Sequence, residues 1–266
     1  MKNILLLVHD DDGQEARLQT ALDLARSLGG HLTCLDVTPY PVLAGDLYVG
    51  FGETAVISDE RDSEAANKSA LTTRLDHEDV SWNWRDVTGD FAEAILTAAT
   101  LADVIVLNRA LDDAFLPDMR TITSRVLMHS RAPVIAVPET LPRFDVLGRA
   151  LIAWDGRSSS AATMRACVPM LALAGQVEIF MARDGTAEIE PLEAAAYLSR
   201  HGIHATVKIV DDERTTPDRL IAAEAERWRA DYVLMGAYGR GRLLETFGGV
   251  TKRMLTNSAI PLVLCH

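Results

Sequence analysis

GAYGRGRLLETFGGVTKRMLTNSAIPLVLCH, residues 236–266, is the stretch whose reading decides the fold. An apolar run, Tyr232 to Met235, leads straight into its first glycines. A polar loop, a Gly-Gly pair, a short helical pattern and an apolar strand, Leu262 to Cys265, follow. Glycines at the C-terminal end of a strand, with more opening a helix, suit a backbone cradle for phosphate. Free N–H groups can face an anion there, and no Cβ obstructs it.

The block has a counterpart upstream. Thr216–His266 slides onto Thr88–Pro138 without a gap, at a fixed offset of 128. Identities include Thr88/Thr216, Asp90/Asp218, Asp103/Asp231, Thr123/Thr251, Arg125/Arg253, Ser130/Ser258 and Pro133/Pro261. Apolar runs also match: Val104–Leu107 with Tyr232–Met235, and Val134–Val137 with Leu262–Cys265. A fixed offset with matching pattern argues for a duplicated domain. The length of 266 residues accommodates two such domains, each large enough for its own core.

Strands and helices alternate along both halves. In the first, strand Ile4–Val8 precedes a helix from about Glu15 to Leu28, stopped by Gly29-Gly30, then strand His31–Val37. Pro39–Gly52 reads as loop, about Ser58–His77 as helix, and about Val80–Asp86 as strand. Thr88 or Asp90 caps a helix reaching Leu101. Strand Val104–Leu107, helix Thr121–Ser130 and strand Val134–Val137 close this half. The second half repeats the order: strand Ala150–Trp154, a turn at Asp155, a helix from about Ala161 to Leu173, and strand Val177–Met181. Helix Pro191–His201, strand His204–Val210 and a helix opened by Thr216-Pro217 precede the glycine block. Such alternation builds a parallel sheet covered on both faces. Ligands of such sheets sit beyond the strand C-termini, where strand order reverses.

The net charge is −12, which argues against nucleic-acid binding, since that needs a basic footprint. It leaves room for a nucleotide, because Arg240, Arg242, Lys252 and Arg253 cluster near the glycines. Cys34, Cys167 and Cys265 are widely spaced within apolar runs and read as reduced core thiols. The opening MKNILLLVHD is too short an apolar run for a signal peptide or membrane span. No membrane association is expected, and a cytoplasmic setting is. Asp10-Asp11-Asp12-Gly13 lacks the alternate ligands of a calcium loop and reads as helix N-terminal acids. No metal site is expected. His9, His129 and His266 have no partner at metal or triad spacing, and no nucleophile motif is present. Catalysis is not expected.

With these residues in view, the chain resembles the universal stress protein family in its tandem, two-domain form. The resemblance spans nearly the whole chain and is strongest in Asp231–His266 and Ala150–Ala166. It implies an α/β fold: two tandem open five-stranded parallel sheets, order 3-2-1-4-5, with helices on both faces, related by a pseudo-twofold axis. Residues 1–138 would form a degenerate domain, 139–148 a linker, and 149–266 the domain with the phosphate loop. The final strands, Val134–Val137 and Leu262–Cys265, would pair edge to edge across the axis, hiding two sheet edges.

Some family members bind ATP through G-x2-G-x9-G-[ST], with an Asp at the end of the first strand meeting the adenosine. Here the first two glycines are Gly236 and Gly239. A strict spacer lands on Gly249, followed by Val250; anchoring on Val250-Thr251 instead gives Gly248, with Gly249 in the hydroxyl position. Either register loses the hydroxyl. Asp155 matches the first-strand Asp. The resemblance therefore implies adenosine near Asp155, Met181 and Ala182. It puts the phosphates over Gly236, Gly239, Gly248, Gly249 and Val250, with Thr251 nearby. The first half keeps Asp10 but has Asn108, Leu111 and Arg120-Thr121 in place of the glycines, so nucleotide is not expected there. The implied role is a regulatory or stress-tolerance protein. It would take ATP as ligand, with a homo-oligomer or an unknown protein as partner. The alternative is an interaction module whose glycines serve only packing.

Overall fold

Each half of the chain begins with a strand that has no room for a polar side chain. β1 (Asn3–Val8) buries all five residues from Ile4 to Val8, and β6 (Arg149–Ala153) buries the four from Ala150. Continuous apolar runs of this kind mark strands covered on both faces. The structure is a computed structural model describing residues 1–38, 52–108, 119–183, 185, 187–212, 214–237 and 249–266. Side chains are described throughout these except at 52–63 and 120.

In the first half, α1 (Gln14–Leu28) follows β1 and ends at Gly29, whose φ of 55° lies in the left-handed region that glycine enters freely. Then come β2 (His31–Thr38), α2 (Gly52–Leu75), β3 (Ser81–Thr88), α3 (Phe91–Ala98), β4 (Val104–Asn108), α4 (Met119–His129) and β5 (Val134–Val137). In the second, β6 leads to α5 (Ser158–Ala166), α6 (Val168–Leu171), β7 (Gln176–Ala182), α7 (Pro191–Ser199), β8 (Ala205–Val210), α8 (Pro217–Trp228), β9 (Tyr232–Gly236), α9 (Gly249–Asn257) and β10 (Leu262–Cys265).

All ten strands form one sheet, order β3-β2-β1-β4-β5-β10-β9-β6-β7-β8. Each half is thus the expected 3-2-1-4-5 arrangement, parallel throughout. The halves meet at β5 and β10, which pair antiparallel with Ile135 opposite Val263. The expected edge-to-edge pairing is present. One core packs α1, α2, α5, α6 and α7 on one face of the sheet. A second packs α3, α4, α8 and α9 on the other. Equivalent helices share a face while the halves run antiparallel, so the pseudo-twofold axis is normal to the sheet.

The shared identities prove to be structural parts. Asp103 accepts the Lys2 and Asn3 amides, and Asp231 accepts that of Arg149, so each fixes the start of its half's first strand. Arg125 meets Asp90 at 3.0 Å and Arg253 meets Asp218 at 2.7 Å, tying α4 to α3 and α9 to α8. Ser130 and Ser258 each accept an amide two residues on, at Ala132 and Ile260, forming the turn before the last strand.

Several boundaries differ from expectation. Of the two candidates for the α3 cap, Asp90 is the one used, accepting the Glu93 amide, while Thr88 ends β3. α2 begins at Gly52, six residues earlier than its pattern suggests; the loop expected over Pro39–Gly52 lies, up to residue 51, outside the described residues. The single helix expected over Ala161–Leu173 begins at Ser158 and breaks at Cys167. Pro169 has no N–H for the Arg165 carbonyl, so the helix cannot run through. The segment read as a linker is packed rather than loose. Phe144 and Val146 are buried, the Phe144 amide donates to Asp23, and its ring lies 5.2 Å from that of Tyr232.

The seam generates a prediction. Val263→Lys would bury an ammonium opposite Ile135, and should lower unfolding free energy by about 4 kcal/mol in urea titrations. Leu192→Lys, at a site 69% exposed, should leave stability unchanged.

Candidate functional site

In the second half β6 lies between β9 and β7, so the strand order reverses at its C-terminal end. A cavity of about 260 Å³ opens there. Ala153, Trp154 and Asp155 follow β6, Phe180 and Ala182 end β7, and Met235 and Gly236 end β9. The first turn of α8 supplies Pro217 and Ile221, and the first turn of α9 supplies Gly249, Val250 and Thr251. Part of the lining is therefore apolar, and part is a helix N-terminus, which favours anions.

Of the residues singled out in the sequence, the cavity brings together Asp155, Ala182, Gly236, Gly249, Val250 and Thr251. Gly239 and Gly248 lie outside the described residues. Met181 does not line the cavity. Side chains alternate along β7, so Phe180 and Ala182 face the cavity. Met181 points into the core on the other face, 2% exposed. Phe180, Pro217 and Ile221 were not singled out; the alternation of β7 and the apolar face of α8 were the available signals.

Asp155 sets the turn into α5. Its Oδ1 accepts the Arg157 amide at 3.0 Å and the Ser160 hydroxyl at 2.7 Å. The serine run therefore opens the helix. Trp154 is 3% exposed and donates its indole N–H to the Ile189 carbonyl.

Gly236 has a packing reason as well as a position on the cavity. A Cβ there would stand 2.6 Å from the Ser159 hydroxyl oxygen and 2.6 Å from the Ser160 backbone nitrogen. The first turn of α5 rests directly on the end of β9. At Gly249 the nearest atoms to a Cβ among the described residues are those of the Arg253 guanidinium, 2.7 Å away at Nη1, a side-chain tip that would have to shift against its pairing with Asp218.

The matching switch point of the first half carries polar side chains where the second half has glycine. Ile4 pairs with Val104 and Ala150 with Tyr232. Since Val104 matches Tyr232, carrying the register along puts His9, not Asp10, where Asp155 stands. This corrects the sequence reading; the connection from β1 into α1 is longer, which shifts the acids outward. His9 is 7% exposed, with Nδ1 3.0 Å from the Glu64 carboxylate of α2 and its ring edge-on to Phe91. Burial lowers the His9 pKa, but the hydrogen bond and charge of Glu64 outweigh it and leave the pKa raised. Burial, then the charges of Glu64 and Asp86, pushes Asp36 up to about 6. The partner of His9 comes from an element far away in sequence, which is why spacing did not reveal it.

Asn108, fully buried, takes the place of Gly236, and its side chain donates to Asp11 at 3.0 Å. A Cβ on Gly13 would lie 2.5 Å from the Asn108 amide nitrogen. Arg17, also fully buried, donates to the Leu7 and His9 carbonyls and to both oxygens of Asp11. Asp11 of the acidic run is thus neutralised from inside. Among the described residues no group of three or more metal-ligating side chains occurs, and no helix is long and apolar enough to cross a membrane.

A model of the universal stress protein family matches residues 1–138 and again 151–266. The chain belongs to the universal stress protein family. A universal stress protein from Archaeoglobus fulgidus DSM 4304 has a similar structure, TM-score 0.77 at 17% identity, covering 100% of this chain and 98% of that one. A functionally unknown protein from Pseudomonas aeruginosa PAO1 superposes with TM-score 0.64 at 16% identity, covering 100% and 92%. At these identities the likeness is one of fold. Comparison with curated proteins gives no match.

Gly236→Ala tests the packing described for that glycine. Because one obstructing atom is helix backbone, it should destabilise the protein by about 2 kcal/mol, read as a lower midpoint in thermal unfolding. Gly249→Ala, facing a side-chain tip rather than backbone, should cost less than half of that.

Proposed function

We propose that the C-terminal cavity binds ATP or a related adenine nucleotide, and that the chain acts in the cytoplasm as a ligand-responsive stress protein rather than an enzyme. The observation that carries this reading is the cavity itself. It sits at the switch point, lined in part by the apolar Phe180, Ala182, Pro217 and Ile221 and in part by the α9 N-terminus. Its volume is near the lower end of ordinary ligand pockets, about 300 Å³, a size that suits the adenosine end. Asp155 stands at the mouth for a ribose hydroxyl. The phosphates would run toward Gly249, Val250 and Thr251, where backbone N–H groups and the helix dipole favour negative charge. The missing hydroxyl at position 249 or 250 would weaken one phosphate contact by about 1 kcal/mol and leave the backbone donors in place.

A second reading has its own support. The close approach of α5 accounts for Gly236 without any ligand. On that reading the glycines serve packing, and the paired domains act as a docking unit for another copy or another protein.

Calorimetric titration with ATP, after denaturing extraction to detect carried-over nucleotide, separates the two. One site per chain is expected on the first reading. Gly249→Ser should tighten binding about fivefold, the worth of one hydrogen bond of roughly 1 kcal/mol, since the nearest described obstacle, Arg253, is a side-chain tip. If Val250→Ser tightens it instead, the other register of the loop applies. No heat from the wild type or either variant, and no extracted nucleotide, would favour the docking reading.

A further inference from the structure

Below the cavity, β7 and α8 each carry a buried carboxyl group. On β7, Phe180 and Ala182 line the cavity, and Glu178 is one pleat further in on the same face. On α8, Pro217 and Ile221 line it too, and Glu224 follows one turn later on the same side. Both carboxyls are buried, Glu178 at 6% and Glu224 at 4% exposed, on the faces of β7 and α8 that pack together beneath the cavity. Glu224 is otherwise well held. Arg227 Nε stands 3.0 and 3.1 Å from its two oxygens, and Lys208 Nζ of β8 donates to Oε2. Glu178 is not: its Oε1 is buried with no partner among the described residues. Its neighbours across the sheet, Leu151 on β6 and Thr206 on β8, bring no charge. The charged groups facing it are Glu224 and Arg227 from α8 and Lys208 from β8.

We propose that a proton held between Glu178 and Glu224 clamps β7 to α8 and so sets the width of the cavity, making ligand binding there responsive to pH. The inference rests on the reading of the cavity as a ligand site. Burial opposes the charge on Glu224, but the hydrogen bonds from Arg227 and Lys208 hold its pKa down to about 2. It is an acceptor at any working pH. Burial first, then the hydrogen bond and charge of Glu224, push Glu178 up to about 7. Below that pH Glu178 keeps its proton and donates it to the Glu224 carboxylate, bridging β7 and α8. Above it, two buried carboxylates face each other and repel. The sign follows from a folded pKa above the ordinary 4.5. The stability Glu178 contributes is full below pH 4.5 and is lost as pH rises through about 7. The loss falls on α8, so Pro217 and Ile221 withdraw from the ligand.

Amide exchange of the α8 segment, corrected for intrinsic rates, reads the clamp with no ligand present. Titration with adenosine, which carries no phosphate to titrate, reads its effect on the site. From pH 6 to pH 8.5 the wild type should lose α8 protection and adenosine affinity by about tenfold each, an ordinary size for coupling between two sites. Glu178→Gln, whose amide donates to Glu224 at every pH, should keep the low-pH values throughout. Glu178→Met, which removes the titrating group, should show no pH dependence, and guards against one variant folding poorly. A pH-independent α8 in the wild type, or the same slope in both variants, overturns the clamp. If α8 loosens with pH in the wild type alone while adenosine gives no heat, the clamp stands and the nucleotide reading falls. If adenosine binds while α8 ignores pH, the nucleotide reading stands and the clamp falls.

Discussion

The structure depends on one short ladder, the antiparallel pairing of Val134–Val137 with Leu262–Cys265. Each half alone would end in an open, apolar strand edge, which invites association with other chains. Joined, the two edges satisfy each other and every residue of both strands is buried. The ladder also merges what would be separate cores. Ile135 and Val263 belong to one continuous cluster and Ala136 and Leu264 to the other, so both layers of helices share a floor across the axis. The packed segment around Phe144 reinforces this by touching Asp23 on one side and Tyr232 on the other.

Because the halves run in opposite directions, their crevices open at opposite ends of the sheet. They differ less in backbone than in what fills them. In the second half, α5 rests on a glycine and the space beyond it stays open. In the first, Asn108 stands where that glycine would be, with His9 and the Arg17–Asp11 pair at the same strand end. These groups are polar, yet nearly all are partnered, which is what makes their burial tolerable.

Most of the fold was legible in the sequence because a buried parallel strand leaves a strong mark. Runs such as Ile4–Val8 and Leu262–Cys265 admit few other readings, and the repeat at a fixed offset fixed their order. What escaped notice were features set by partners remote in sequence. Asp90 and Asp218, Arg125 and Arg253 were visible as identities, but their pairing needed two helices brought side by side. Nothing local marks Arg17 on α1, a charged residue beside an apolar stripe, as fully buried. Met181 was misplaced in facing for a simpler reason: a strand shows alternate residues to opposite faces, and the end of a strand does not say which face meets the cavity. The carboxyl pair Glu178–Glu224 carried no local signal, since one member sits in an apolar strand and the other on a charged helix.

The contact between Gly13 and Asn108 has a consequence for how such a chain can change. The asparagine fills its space only because position 13 lacks a side chain, and the glycine is required only while the asparagine is there. Replacing Asn108 with glycine would open a hole and strip Asp11 of a donor. Replacing Gly13 first would drive a methyl group into the amide. Neither single step is neutral, so a return of this half to an open crevice needs paired changes through a less stable intermediate. The duplication therefore behaves as a ratchet. One copy keeps an open cavity whose lining can change residue by residue, while the other is held by the mutual steric dependence of Gly13 and Asn108.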